Sequence, residues 1–325
     1  MKKCVVITTV RPPTQGILAF LDSEYDVIIV GDQKTPDHYH NMDCIFLDIK
    51  TQQQLFPILS QLLPFNHYAR KNLGYLYAIQ HGYDIIAESD DDNVPMSHWG
   101  TWNADFSDTV VAPQYPNIYR LYTDVHIWGR GFPLDKIRQN EPITIEHHAD
   151  NTVFIIQGLV NHAPDVDAIF RLVMPNAHLP IHFEKNGQYA LGKGVLSPFN
   201  SQNTIWLHKT IFPCLYLPNV SFRYSDILRS YITQFVLWQL GGQLAFIAPN
   251  MIQRRNPHDV MQDFVLEIPI YQHFHTVMHI LTHMDGSQSP TILFTIYETL
   301  VKEGIVARQE LDIVERWLNV VLECL

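Results

Sequence analysis

Four short apolar runs, Val5 to Thr8, Tyr25 to Gly31, Cys44 to Leu47 and Tyr83 to Ala87, constrain the fold more than any other feature of this chain. Helix-like stretches lie between them, Gln15 to Asp22 and Tyr68 to Gly82. Strands separated by single helical patterns imply βαβ units and a mainly parallel sheet. Runs rich in β-branched residues suit strands covered on both faces. In such open α/β sheets ligands bind at the carboxyl ends of the strands, which makes the residues just past each run the candidates for a site. Past the second run stands Gly31-Asp32, a strand-end turn of a kind that contacts nucleotides and that is also a common way to leave a sheet.

Past the fourth run stand Asp90, Asp91 and Asp92. Adjacent carboxylates repel one another unless a cation or full solvation relieves them. A solvated acidic turn is one reading. A strand before the run and Asn93-Val94-Pro95 after it favour a strand-end turn instead. Hard oxygen donors in that place suit Mg²⁺ or Mn²⁺ bridging to phosphate oxygens. Arg70, Lys71 and Asn72 open the preceding helical pattern, which Gly82 would stop. Helix N-termini favour anions, so two cations there suggest a bound phosphate, the alternative being side chains that point into solvent.

With 325 residues, 46% hydrophobic and 17% charged, the chain can form one large domain or two smaller ones. A net charge of -11 leaves no electrostatic footprint for nucleic acid, so a phosphate-bearing ligand needs local positive charge or a metal. The apolar start turns polar at Thr8-Thr9 and reads as a first strand, not a signal peptide. Tyr231 to Pro249 is broken by Gln234, Gln239, Gly241-Gly242 and Gln243, too polar for a comfortable bilayer span. Cys4, Cys44, Cys214 and Cys324 form no CxxC pair. Reduced thiols and a soluble, cytoplasmic protein are therefore expected. Residues 109–265 are richer in Pro, Asn and aromatics, with strand-like pieces at Thr152 to Ile156 and Leu215 to Leu217, and His147-His148 read as surface. From about Glu267 the pattern is helical, with an apolar stripe of Leu311, Val314, Trp317, Leu318, Val321 and Leu322. The expected division is residues 1–265, carrying the site, and 266–325, a helical extension packed on it.

Two further stretches carry chemistry. In "YSDILRSY" Asp226 heads a helical pattern whose Ile227, Leu228 and Tyr231 face inward, which makes it an N-cap or a carboxylate base. In "RRNPHD" His258 comes directly after a proline, in a loop beyond an apolar run.

The blocks "YARKNLGYLYAIQHGYDIIAESDDDNVP", "QGLVNHAPDVDAIFRL", "PFNSQNT" and "YSDILRSYITQFVLWQLGGQLAF" resemble the STELLO-type glycosyltransferases over roughly residues 4 to 265. More distantly, "RGFPLDKI" and "GLVNHAPDVDA" look like motifs of plant UDP-arabinopyranose mutases. The resemblance implies an α/β, GT-A-type, Rossmann-like nucleotide-sugar domain with a mostly helical C-terminal appendage. It implies a transferase using a UDP-sugar donor, an inverting course and a glycan or small-molecule acceptor, with Mn²⁺ or Mg²⁺ held by Asp90, Asp91, Asp92 and His258. Of the three aspartates Asp92 is the first choice as direct metal ligand. Thr8, Thr9, Arg11 and Asp32 would line the nucleotide pocket, Arg70, Lys71, Asn72, Arg254 and Arg255 would contact phosphates, and Asp226 would be the base. If the mutase likeness prevails, Arg130 carries the sugar, although the second arginine of that family falls on Ile137, with Arg138 one step late. A non-catalytic assembly module is the other alternative, since STELLO-type proteins are associated with cellulose synthase assembly.

Overall fold

The computed structural model describes residues 1–139, 141–254, 259–284 and 292–325. The first part of the chain alternates as expected: β1 (Lys3–Thr9), α1 (Gln15–Leu21), β2 (Asp26–Gly31), β3 (Ile45–Leu47), the short helices α2 (Ile49–Leu55) and α3 (Leu59–Leu62), α4 (Lys71–Gln80) and β4 (Ile85–Asp90). Gly82 lies just past the end of α4 in the left-handed region, at φ 72°, the conformation that lets a helix stop without a Cβ clash. β1 pairs in parallel with both β2 and β4, and β2 with β3. The register sets Thr9 beside Gly31 and Thr8 beside Asp90, so the three strand ends meet on one edge.

The second part extends the sheet with β5 (Asn93–Pro95), β6 (Asp108–Ala112), β7 (Thr144–His147), β8 (Val153–Asn161), β9 (Gln188–Leu191), β10 (Asn203–Trp206) and β11 (Gln243–Gln253), interleaved with α5 (Ala168–Val173) and α6 (Ser225–Leu240). Helices α7 (Val260–His283), α8 (Ile292–Lys302) and α9 (Glu310–Cys324) complete the chain. Among the described residues the strands form one sheet in the order β3-β2-β1-β4-β10-β8-β11-β9-β6-β7, with β5 paired to β11. β10 runs antiparallel to β4 and to β8, so a parallel Rossmann-like half continues into a mixed half. This is an α/β fold with a helical C-terminus. Leu215 to Leu217 is not a strand: a 3₁₀ helix over Lys209–Leu215 ends at its first residue, and Tyr216 and Leu217 continue as irregular chain.

Successive strand residues point to opposite faces, and both faces are covered. Val5, Ile7, Ile29 and Ala87 pack with Ile17 and Phe20 of α1 on one side. Val6, Ile28, Val30 and Ile86 pack with α4, α6 and the C-terminal helices on the other. α4 lies tight on the sheet because Gly74 has no side chain: a Cβ there would come within 2.5 Å of Val6 and of Val30. Gly16 does the same for α1, whose backbone touches the segment after the acidic run; a Cβ would sit 2.0 Å from the Asn93 carbonyl oxygen. The helices after residue 265 share the core of the larger face, and α7 already begins at Val260.

Candidate active site

A cavity of about 430 Å³ opens at the carboxyl ends of β1, β2 and β4. Thr8, Thr9, Arg11, Asp32, Asp90, Asp91, Asp92, Arg130, Asp165, Ser201 and Asp226 line it, and contacts order them: Thr9 bonds Asp91, while Tyr68 and Ser201 link Asp90 to Asp226 and so to Arg130.

Each carboxylate of the acidic run is held by a different partner. The Tyr68 hydroxyl donates to Asp90 Oδ1 at 2.7 Å and lies 2.6 Å from Ser201 Oγ. Thr9 Oγ1 donates to Asp91 Oδ2 at 2.6 Å, and Gln253 Nε2 donates to Asp92 Oδ1 at 2.9 Å. Burial pushes the Asp90 carboxyl up to about 7, the Lys71 ammonium opposing this and the charges of Asp92 and Asp226 adding to it. Asp91 is raised as well, again chiefly by burial. Burial thus disfavours the ionised form of both carboxyls, a form that a bound cation would favour.

The far end is a clasp. Arg130, 6% exposed, donates from Nη1 and Nη2 to the two oxygens of Asp226 at 2.8 and 2.9 Å. Its Nε and Nη2 donate to Asp165 at 2.9 and 2.7 Å, and Nη1 also reaches the Arg223 carbonyl. Ser201 adds its N–H and hydroxyl to Asp226 Oδ2. Burial alone would raise Asp226, but Arg130 outweighs it and holds the carboxyl down to about 2. Asp165 and Asp226 together push the Arg130 pKa further up against the effect of burial. Behind the clasp Arg223 Nη2 meets Glu267 Oε1 of α7 at 2.6 Å.

Beneath the cavity floor Glu88 of β4, 1% exposed, pairs with Arg229 of α6 at 2.7 Å and accepts from Trp206 Nε1 at 3.0 Å. These bonds tie β4, β10 and α6 together directly under Asp90.

Known proteins resemble this chain in sequence. The model of the STELLO glycosyltransferases matches residues 223–324. "Probable glycosyltransferase STELLO2" of Arabidopsis thaliana is 30% identical over 273 residues, covering 77% of this chain and 35% of the relative. "Probable glycosyltransferase STELLO1" of the same plant is 28% identical over 344 residues, covering 98% and 44%. The chain is STELLO-like. It spans less than half the length of these curated relatives. Among solved structures, glucosyl-3-phosphoglycerate synthase from Mycobacterium tuberculosis, in complex with phosphoglyceric acid, covers 85% of this chain and 79% of its own at 9% identity and a TM-score of 0.43.

In this STELLO-like chain the expected site residues divide. Thr8, Thr9, Arg11, Asp32, Asp90, Asp91, Asp92, Arg130 and Asp226 converge on the cavity. Asp32 also fixes the neighbouring loop, accepting from the N–H groups of Gln33 and Asn66, each at 2.7 Å. The phosphate-binding reading of Arg70, Lys71 and Asn72 fails on burial, all three being at most 1% exposed. Arg70 borders the cavity, but its guanidinium donates to the carbonyls of Ser60 and Leu63 and to Gln52. Lys71 Nζ donates to Tyr68 Oη and to the Ser89 carbonyl, where it stands as a buried counter-charge near Asp90. Asn72 ties α4 to Leu217 through both its amide groups. Arg254 bonds Gln15 at 3.0 Å instead of lining the cavity. Arg255 and His258 lie outside the described residues.

Asp226 and Arg130 both line the cavity, where they are bound to each other. Asp226 is not the N-cap of α6, a place Tyr224 holds, and its oxygens are taken by Arg130 and Ser201, so as found it is no free base. Arg130, kept cationic between two carboxylates, has no lone pair to attack a sugar carbon. Asp165, Ser201, Tyr68, Lys34 and Gln253 were missed, because nothing in their local pattern separates them from surface polar residues.

Among the described residues no group of three or more His, Cys, Asp or Glu side chains is arranged to hold a metal ion. Among the described residues, then, the acidic run is given no all-protein cage. It does fit a hard divalent cation that takes one or two carboxylates and completes its shell with phosphate oxygens and water. Among the described residues no helix is long and apolar enough to cross a membrane.

Proposed function

We propose that the chain is a metal-dependent glycosyltransferase acting from a UDP-sugar donor on a glycan or small-molecule acceptor. The observation that carries this is the order of groups along one cavity: threonine hydroxyls and Asp32 at the β1–β2 end, the acidic run in the middle, and the Arg130 clasp beyond it. The nucleoside would lie at the first, the diphosphate over the second, with Arg11 and Lys34 at the cavity wall as local positive charge. Mn²⁺ or Mg²⁺, held by Asp92 and Asp90, would supply the Lewis acid that offsets charge growing on the departing diphosphate. Tyr68 and Lys71 keep Asp90 in place, and Asp226 keeps Arg130 cationic at the sugar end. An inverting course with Asp226 as base requires Arg130 to release it when substrates bind; the anomeric configuration of the product, read by NMR, tests that.

The decisive experiment measures UDP release from a panel of UDP-sugars in Mn²⁺ and in EDTA. Release that needs the metal supports the reading. A chain that neither turns over nor binds any UDP-sugar would be the assembly module. UDP at about 100 times its dissociation constant should stabilise the protein by about 2.7 kcal/mol in Mn²⁺ and by much less in EDTA. Asp92→Ala should remove that difference without unfolding the chain, and equal thermal shifts in Mn²⁺ and EDTA for the parent would refute the metal. The mutase alternative predicts self-labelling by radiolabelled donor, which the clasped Arg130 argues against.

A further inference from the structure

Phe222 is a large aromatic ring in an unusual place: it lines the cavity and yet is 48% exposed. Apolar area of that size is normally buried, and leaving it open costs stability that a ligand can recover. The exposure does not come from a slack loop. Val220 accepts a 2.7 Å hydrogen bond from His67 Nε2 through its carbonyl, and Ser221 Oγ donates to the Leu266 carbonyl at 2.6 Å. The Arg223 carbonyl accepts from Arg130 and its side chain pairs with Glu267, while Tyr224 is buried. Every neighbour is anchored, so the ring is held out over the cavity by its surroundings.

Its position along the cavity says what it meets. The ring stands edge-on to Tyr68, centroids 5.1 Å apart, and the Tyr68 hydroxyl is bound to Asp90. Phe222 therefore stands beside the acidic run with half its surface open to solvent, at the mouth through which a second substrate would reach a donor already seated in the cavity, and away from the β1–β2 end that would take the nucleoside. We infer that Phe222 is the platform on which the acceptor's sugar ring lies, so that the acceptor is a saccharide with one face of axial C–H groups. A pyranose offers such an apolar face to an aromatic ring and keeps its hydroxyls for hydrogen bonds at the rim, here Gln202 and Arg223. This rests on the transferase reading, with the donor in the same cavity.

The test is saturation-transfer NMR with cellotriose, mannotriose and galactotriose, on protein loaded with UDP and Mn²⁺, beside UDP affinity by calorimetry. At least one trisaccharide should bind the parent. Phe222→Ala should weaken it about tenfold with UDP affinity retained, and Phe222→Trp should keep both. Trisaccharide binding that is unchanged in Phe222→Ala, or that the parent lacks while binding UDP, overturns the platform but leaves the donor reading standing. A loss of UDP affinity in Phe222→Ala assigns the ring to the base and overturns it too. A parent that binds no UDP sinks the donor reading and the platform with it.

Discussion

Asp226 and Asp167 are both buried aspartates near the clasp, and their surroundings push them in opposite directions. Asp226 is held down to about 2 by Arg130 despite burial. Asp167, which caps α5 and accepts from Trp128 Nε1 at 2.7 Å, is pushed up to about 7 by burial, with Glu267 adding to it. An unfolded aspartate titrates near about 3.9. The Asp226 pair therefore gives its full stability above about pH 4 and loses it as the pH falls toward 2. Asp167 binds its proton more tightly when folded, so it lowers stability steadily as the pH rises from about 4 to 7. Asp226→Asn, which leaves the Arg130 charge half-paired in a buried site, should cost roughly 3–5 kcal/mol at pH 7 in urea unfolding. Asp167→Asn can still accept from the α5 backbone, and should flatten the decline between pH 4.5 and 7.5; an unaltered slope would mean that Asp167 is ionised throughout. None of this was legible in the sequence. Arg130 lies 35 residues from Asp165 and 96 from Asp226, and local spacing says nothing about such meetings.

At the scale of elements the sequence was informative where one face decides the pattern. β1, β2, β3 and β4 lie within a few residues of the apolar runs, because strands buried on both sides must be apolar throughout. The first turn of α4 misled, since Arg70, Lys71 and Asn72 have the residue types of a phosphate site but are used to fasten α3, β4 and the Leu217 segment. The contact of α1 with the acidic loop was also hidden, because a glycine in a helix pattern does not reveal what it touches. Gly16→Ala tests it. The added methyl would meet backbone, the carbonyls of Asn93 and Asp91, which cannot rotate away as a side chain would. Overpacking of this kind costs about 1–3 kcal/mol. The displaced segment also holds Asp91 and Asp92, so Mn²⁺-dependent UDP binding should weaken more than the loss of stability explains, as calorimetry well below the melting temperature would read. Normal UDP affinity in a destabilised Gly16→Ala would separate α1 packing from the site.

At the scale of the whole molecule the question is whether the helices after residue 265 are an accessory or a part of the structure that forms the cavity. Three contacts argue for the second. Glu267 of α7 pairs with Arg223 behind the clasp. Glu310 of α9 accepts from the Tyr216 hydroxyl at 2.6 Å and the Asn219 N–H at 2.9 Å, just before the Phe222 segment. Trp317, 1% exposed, donates from Nε1 to the Pro213 carbonyl at 2.8 Å and packs against Tyr216. The stripe that reads in sequence as a packing face is thus the far wall of the core that carries α6 and, with it, Asp226. Trp317→Ala should leave a cavity and an unsatisfied carbonyl, at a cost of roughly 3–5 kcal/mol. If the chain is one cooperative unit, far-UV circular dichroism and UDP binding should be lost together in urea, in the parent and, at lower denaturant, in Trp317→Ala. If residues 266–325 fold apart from the rest, Trp317→Ala should instead split the transition, helical signal falling first while the protein still binds UDP.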